Sequence, residues 1–171
     1  MNNKIVCFSA ADKMAKTNYN KTVLNSVNLI DLQNKFGKLD IHQNVIYGSI
    51  WGARSSKLWE NLNINDIVLF YAHKRFISYG TIMYKSQDTK IAEYLWDTSG
   101  YKNLVFMSPH IQIDSCRTPF WKAFNYAPKF YIMGLRIPLV QQQQELINQY
   151  GTIENVLKRL LSLKELKIEY Y

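Results

Sequence analysis

Apolar and polar positions along the chain switch repeatedly between a period of two and a helical period, and those switches define the elements. Residues 5–9 form a short apolar run that predicts a first strand, and residues 10–16 a turn or short helix. Over residues 22–36, Val23, Val27 and Ile30 share one helical face, with Gly37 as the stop. Residues 45–50 predict a second strand, which ends in an exposed Trp51-Gly52. Residues 67–72 are almost unbroken apolar, the pattern of a strand buried on both faces. Apolar character resumes over 76–84 after a basic tip at His73, Lys74 and Arg75, so the two runs predict a hairpin. Gly80 within the second run indicates a bulge or a close approach by another backbone.

The second half is more broken. Residues 90–96 predict a helical turn or a loop, and 104–107 and 111–113 two short strands around Ser108-Pro109. Thr118-Pro119 has the form of a cap followed by proline, opening a short helix with Phe120, Trp121 and Phe124 that Pro128 ends. Residues 129–137 alternate as a strand. Beyond Pro138 two helical patterns, 139–149 and 152–163, are split at Tyr150-Gly151, and the second carries an apolar stripe from Ile153 to Leu161. With no long linker before them, they are expected to pack on the strand-rich part. The organisation is therefore residues 1–138 as the main domain and 139–171 as a C-terminal helical extension.

Composition narrows the classes. A chain of 171 residues, 47% hydrophobic and 14% aromatic, suits one folded domain with a real core. No run approaches the ~18 apolar residues of a membrane helix, and the start has no signal-peptide pattern. Two cysteines without CxxC spacing support neither a disulfide framework nor a zinc site, so a reducing, cytoplasmic setting is expected. The net charge of +8 is uneven: residues 141–171 hold four basic and four acidic side chains, leaving 17 basic against 9 acidic in residues 1–140. A basic main domain suits a bound polyanion, because lysines and arginines that neutralise phosphates release condensed counterions.

Catalytic signatures are sparse. His42, His73 and His110 are scattered without metal-ligand spacing, and there is no GxSxG, Walker lysine loop or GxGxxG, so no metal or cofactor is expected. Glu93 and Asp97, four apart, leave a nuclease or base-modifying enzyme as a third class behind two kinds of binding module.

Residues 47–84 carry a specific pattern: Trp51-Gly52, then Ala53-Arg54, a helix with Leu58, the run Asn65-Asp66-Ile67-Val68-Leu69-Phe70-Tyr71, and Tyr79-Gly80-Thr81-Ile82. This order resembles the EVE domains and the related YTH domains of the PUA-like superfamily. The resemblance implies an α+β fold, a small mixed β-barrel with flanking helices, that binds nucleic acid around a modified base. Asn65 stands where EVE proteins have glycine; asparagine also tolerates the left-handed turn. In the YTH likeness Trp51 falls on one wall of an aromatic cage and Trp96, within residues 94–104, on a second. The third YTH aromatic falls on Ile91 here, so Tyr94 is the substitute candidate, with Tyr47 behind it. Ser9 and Asp12 are candidates for the base edge, with the backbone at Gly52 and Ala53. Arg54, Lys57, Lys74 and Arg75 are the candidate phosphate contacts. Trp59 and Trp121, at helical spacing from leucine and phenylalanine, are expected in the core.

Domains of this kind resemble the N-terminal target-recognition modules of modification-dependent restriction systems of the McrB type, and the chain has the size of an excised module. The likeness implies binding of methylated DNA, with a separate AAA+ GTPase and a nuclease subunit doing the cutting. The base is expected to be N6-methyladenine, flipped from the duplex, with 5-methylcytosine second. A reader of methylated RNA is the alternative.

Overall fold

A computed structural model of the chain describes residues 3–41 and 44–171. The strands are β1 (Ile5–Ser9), β2 (Val27–Asn28), β3 (Tyr47–Ala53), β4 (Ile67–Ala72), β5 (Arg75–Gln87), β6 (Asn103–Met107), β7 (Ile111–Cys116) and β8 (Leu135–Arg136). The helices are α1 (Lys13–Tyr19), α2 (Leu29–Phe36), α3 (Ser56–Glu60), α4 (Thr89–Trp96), α5 (Thr118–Ala123), α6 (Val140–Tyr150) and α7 (Ile153–Leu161). The sheet runs β2-β3-β6-β5-β4-β1-β8, with β7 added to β5. β1 and β4 are parallel, and the other pairs antiparallel.

Strand alternation sorts the apolar residues into separate cores. In β1 and β4, Ile5, Cys7, Ile67, Leu69 and Tyr71 turn toward α5 and α7, where they meet Phe120, Trp121 and Leu157. Their neighbours Val6, Phe8, Val68 and Phe70 turn the other way and meet Trp51, Val105 and Met107 from β3 and β6. Strands from both halves of the sheet thus point into one interior, giving a barrel-like α+β fold. On the outside of β3 and β6, Ile50, Leu104 and Phe106 lie under α2 and α4. β4 is apolar throughout because both its faces are core. The long β5 serves both halves, pairing β4 along one edge and β7 then β6 along the other, with register shifts that bend it.

Local chemistry fixes the corners. His73 and Lys74, at φ 49° and 64°, make the two-residue turn with both residues left-handed whose twist suits a hairpin. Asn65 takes φ 71°, as the asparagine-for-glycine exchange required, and its amide also clamps Tyr171, donating to the carbonyl at 2.8 Å and accepting from the N–H at 2.7 Å. The fully buried Asp66 carboxylate accepts from the Lys4 N–H (3.1 Å), the Lys4 ammonium (2.5 Å) and the Asn63 N–H (2.7 Å), so a single side chain ties the starts of β1 and β4 together. Gly80 sits in regular register opposite Val68, and a Cβ there would stand 3.4 Å from the Ser108 carbonyl oxygen.

The C-terminal helices are integral to the packing. The α7 stripe enters the β1–β4 core, and the buried Gln143 of α6 accepts from the Ile5 N–H (2.6 Å) and donates to the Ile5 carbonyl (3.1 Å), standing in for a strand neighbour.

Four expectations from the pattern need correction. The helix over 22–36 is divided: a π-helical turn, Asn20–Leu24, continues α1, then β2 intervenes before α2. Asn28 caps α2 by accepting from the Ile30 and Asp31 N–H groups, so this polar residue starts a new helix. The strand over 129–137 shrinks to Leu135–Arg136, because the Arg117 guanidinium takes the carbonyls of Pro128 (2.9 Å) and Phe130 (3.1 Å) away from any ladder. The α5 helix ends at Ala123, with Phe124 as its C-cap and the left-handed Asn125 next, well before Pro128, and its N-terminal cap position is Arg117. Trp51 does not end its strand: β3 runs on to Ala53, and the indole is buried. His42 lies outside the described residues.

Candidate nucleic-acid interface

Beside the C-terminal end of β3 the surface opens into a cavity of about 330 Å³, at the lower end of the ~300–1,000 Å³ of small-ligand pockets. Trp51 reaches it from inside the barrel. Its indole meets Phe70 edge-on (5.3 Å, 79°) and Phe8 at a tilt (6.1 Å, 56°), so the ring is rigidly seated and only 7% exposed. The next residue, Gly52, faces the opposite side. A Cβ there would lie 2.4 Å from the Tyr101 Cβ and 2.8 Å from the Trp96 ring, so only glycine lets those two aromatics close over the strand.

Trp96, the last residue of α4, arrives from the other core and is also 7% exposed. Its indole N–H donates to the Thr22 hydroxyl (3.3 Å), and that hydroxyl donates to the Ile50 carbonyl (2.7 Å). Tyr101 stands edge-on to Trp96 (6.0 Å, 78°). Arg54 donates to the Tyr101 hydroxyl (2.9 Å) and lies over its ring (4.9 Å). Two indoles belonging to different cores therefore border one cavity, with Tyr101 as a third aromatic wall.

The polar lining is partly committed. Ser9 contributes its N–H to the Gly134 carbonyl (2.9 Å), while Asp12 caps α1 by accepting from the Ala15 N–H (2.8 Å) through one oxygen. The backbones of Gly52 and Ala53 are paired with β6. Asn18 also lines the cavity and was not singled out in the sequence.

Tyr94 and Tyr47 are corrected. Tyr94 lies two residues before Trp96, so the helix turns it outward, where it packs on Phe36 (5.3 Å) under the Lys35 ammonium (3.9 Å). Tyr47 opens β3, four residues or about 13 Å before Trp51, and is exposed. Ile91 is wholly buried on the inner face of α4, so the third wall comes instead from five residues after Trp96, at Tyr101.

The cations redistribute likewise. Arg54 lines the cavity, and Lys74 lines an adjoining depression of about 530 Å³ that shares Ser9, Asp12, Met133 and Gly134 with it. Lys57 lines none of these depressions; it points away on α3 while Ser55 and Leu58 face the cavity. Arg75 is committed elsewhere: it donates to the Asp114 carboxylate, a bond that raises its already high pKa, and to the Asp114 carbonyl (3.0 Å). On the other flank a depression of about 630 Å³ shares Arg54, Trp96 and Tyr101 and adds Lys13 and Lys21. Lys13 lies on α1 and Lys21 on the π-helical turn that follows it, and nothing local in the sequence marks either as facing the end of β3. The cavity thus sits between two cation-lined depressions.

The catalytic rival gains no assembled centre. Asp97 sits 3.6 Å from the Lys21 ammonium in the left-handed cap of α4, and among the described residues no group of three or more His, Cys, Asp and Glu side chains is placed to hold a metal ion. Nor is any helix among them long and apolar enough to cross a membrane.

No protein-family model and no curated sequence matches the chain. Among solved structures, the N-terminal domain of Thermococcus gammatolerans McrB bound to m5C DNA is similar over 87% of this chain and 98% of its own, at 15% identity and a TM-score of 0.69. The chain therefore has the fold of a McrB N-terminal domain, the likeness its sequence implied.

Proposed function

We propose that the domain binds DNA carrying a methylated base and holds that base, rotated out of the duplex, in the cavity between Trp51, Trp96 and Tyr101. The observation that carries this reading is the convergence of two indoles from separate cores on one open cavity flanked by cations on both sides. A base stacked on an aromatic face contributes about 1–3 kcal/mol, enough to offset much of the cost of leaving the duplex. Arg54, Lys13 and Lys21 on one flank and Lys74 on the other serve the phosphates to either side. The shared fold with a domain solved on m5C DNA supports the same polymer.

N6-methyladenine is the finer reading, since the YTH likeness sets Trp51 and Trp96 around a methylated amine. Burial of one methyl contributes only about 0.8 kcal/mol, so selectivity must come from walls that leave no room for water beside the unmethylated amine. The neighbour's ligand favours 5-methylcytosine as a second reading. In either case cutting lies outside this domain, with an AAA+ GTPase and a nuclease subunit as partners.

The test titrates labelled duplexes, unmodified or with one N6-methyladenine or one 5-methylcytosine, and a matched methylated single-stranded RNA, against wild type and Trp51→Ala. A preference for one methylated duplex that is lost in the variant supports the reading. Equal affinity for methylated and unmethylated duplexes ends it, and preference for RNA overturns the choice of polymer.

A further inference from the structure

Resting on the reading above, we infer that Met133 is the side chain that enters the base stack and fills the space vacated by the extruded base. A base leaving a duplex opens a gap between its neighbours, and an apolar wedge inserted there lowers the cost of unstacking. Such a wedge must be apolar, exposed, held at the lip of the cavity and carried on a fixed backbone.

Met133 meets each condition. It is 83% exposed, more than any other large hydrophobic side chain among the described residues, and it borders both the cavity and the Lys74 depression. Its backbone is anchored on both sides: the preceding Ile132 is buried in the β1–β4 core, and after it the Gly134 carbonyl accepts from the Ser9 N–H and Leu135 is paired with Phe8 of β1. Gly134 takes φ 60° with open space around it, so the turn projects Met133 outward instead of returning it to the sheet. An unbranched thioether is flexible and polarisable enough to lie between bases.

The other exposed apolar groups at the mouth are less free. Met14 is engaged through its sulfur by the Tyr101 hydroxyl (3.2 Å), Tyr131 lies under the Arg117 guanidinium (5.5 Å), and Leu58 is 36% exposed. The sequence pattern had placed Met133 on the face of a strand. Because that strand does not form, the side chain is left in solvent.

The experiment compares two duplexes bearing the same methylated base, in parallel series for N6-methyladenine and 5-methylcytosine. In one the base is paired, and in the other it faces an abasic site and is already unpaired. Met133→Ala is expected to weaken binding to the paired duplex by about tenfold or more while changing the unpaired duplex by less than about threefold. Met133→Leu is expected to restore most of the loss. An equal loss on both duplexes, or no loss on the paired one, overturns the wedge while leaving the cavity reading intact. Failure of wild type to prefer any methylated duplex over an unmethylated one overturns the cavity reading and the wedge together.

Discussion

Two aromatic regions of the same molecule differ in where their rings come from. Around α5, Phe76, Phe120, Trp121, Phe124, Tyr126 and Phe130 meet one another at centroid distances of 4.6–6.3 Å, and Trp121 is further covered by Tyr71 (5.4 Å) and the Arg117 guanidinium (4.8 Å). At the end of β3, Trp51 and Trp96 come from separate cores and border one cavity, whereas the rings that border a depression of about 560 Å³ beside α5, Trp121 and Tyr126, belong to a single core. Aromatic density alone therefore marks no binding site. What distinguishes the end of β3 is that its cavity draws rings from two cores and adjoins two further cation-lined depressions.

The contrast breaks most visibly in stability. Truncating Phe120, wholly buried in the closed cluster, should cost about 3–5 kcal/mol in denaturant unfolding, while DNA affinity of the still-folded protein stays within about twofold. A loss of affinity as large as that of Trp51→Ala would show that the two regions are coupled.

Gly52→Ala probes the open side. A methyl 2.4 Å from Tyr101 and 2.8 Å from Trp96 must force the walls apart, so a stability loss of about 1–3 kcal/mol is expected together with weaker binding of a methylated duplex. If binding survives unchanged, the spacing of those aromatics does not define the pocket.

The same contrast separates what was legible in the sequence from what was not. The β3–β5 segment was legible because each of its signals is local: the apolar run of β4, the basic hairpin tip, the left-handed Asn65. Trp51 and Trp96 were named through the family likeness, and the cavity brings them together. Tyr101 was missed because its role depends on Gly52 having no side chain, a relation across 49 residues that no periodicity encodes. Arg75 was misplaced because Asp114 neutralises it from a strand whose pairing was not foreseen. The strand over 129–137 failed for a similar reason: Arg117 takes the Pro128 and Phe130 carbonyls from any ladder, and the residues that become buried, Ile132 and Leu135, are three apart instead of alternating.

Arg54 belongs to the open region in two ways, as a cation and as a support for Tyr101. Arg54→Ala should lower the slope of log affinity against log salt by about one and, with Tyr101 unsupported, also reduce the preference for the methylated duplex. Arg54→Lys keeps the charge but loses the guanidinium plane that lies over the Tyr101 ring, so the slope should recover while preference for the methylated duplex stays reduced. Recovery of both would reduce Arg54 to a phosphate contact.

The smallest expected effect is a pH dependence that should belong to the closed barrel and leave the cavity untouched. His110 is half-buried beside Tyr19, its Nδ1 has no hydrogen-bond partner among the described residues, and burial pushes its pKa down. The unfolded chain then binds a proton more readily than the folded one. Stability should be full above about pH 6.5, the ordinary histidine value, and decline as pH falls below it. Burial raises the pKa of Glu154, but the hydrogen bond from the Tyr170 hydroxyl and further bonds to Thr152 and the backbone outweigh it and leave a net depression. Its stabilisation is likewise lost on acidification, in a lower window that opens below about pH 4.5. His110→Gln should therefore remove the upper step from a plot of unfolding free energy against pH and keep the lower one. Because His110 does not line the cavity, the variant should bind a methylated duplex as wild type does at pH 7.5. A change in affinity there would mean that the histidine's side of the barrel and the pocket respond as one unit.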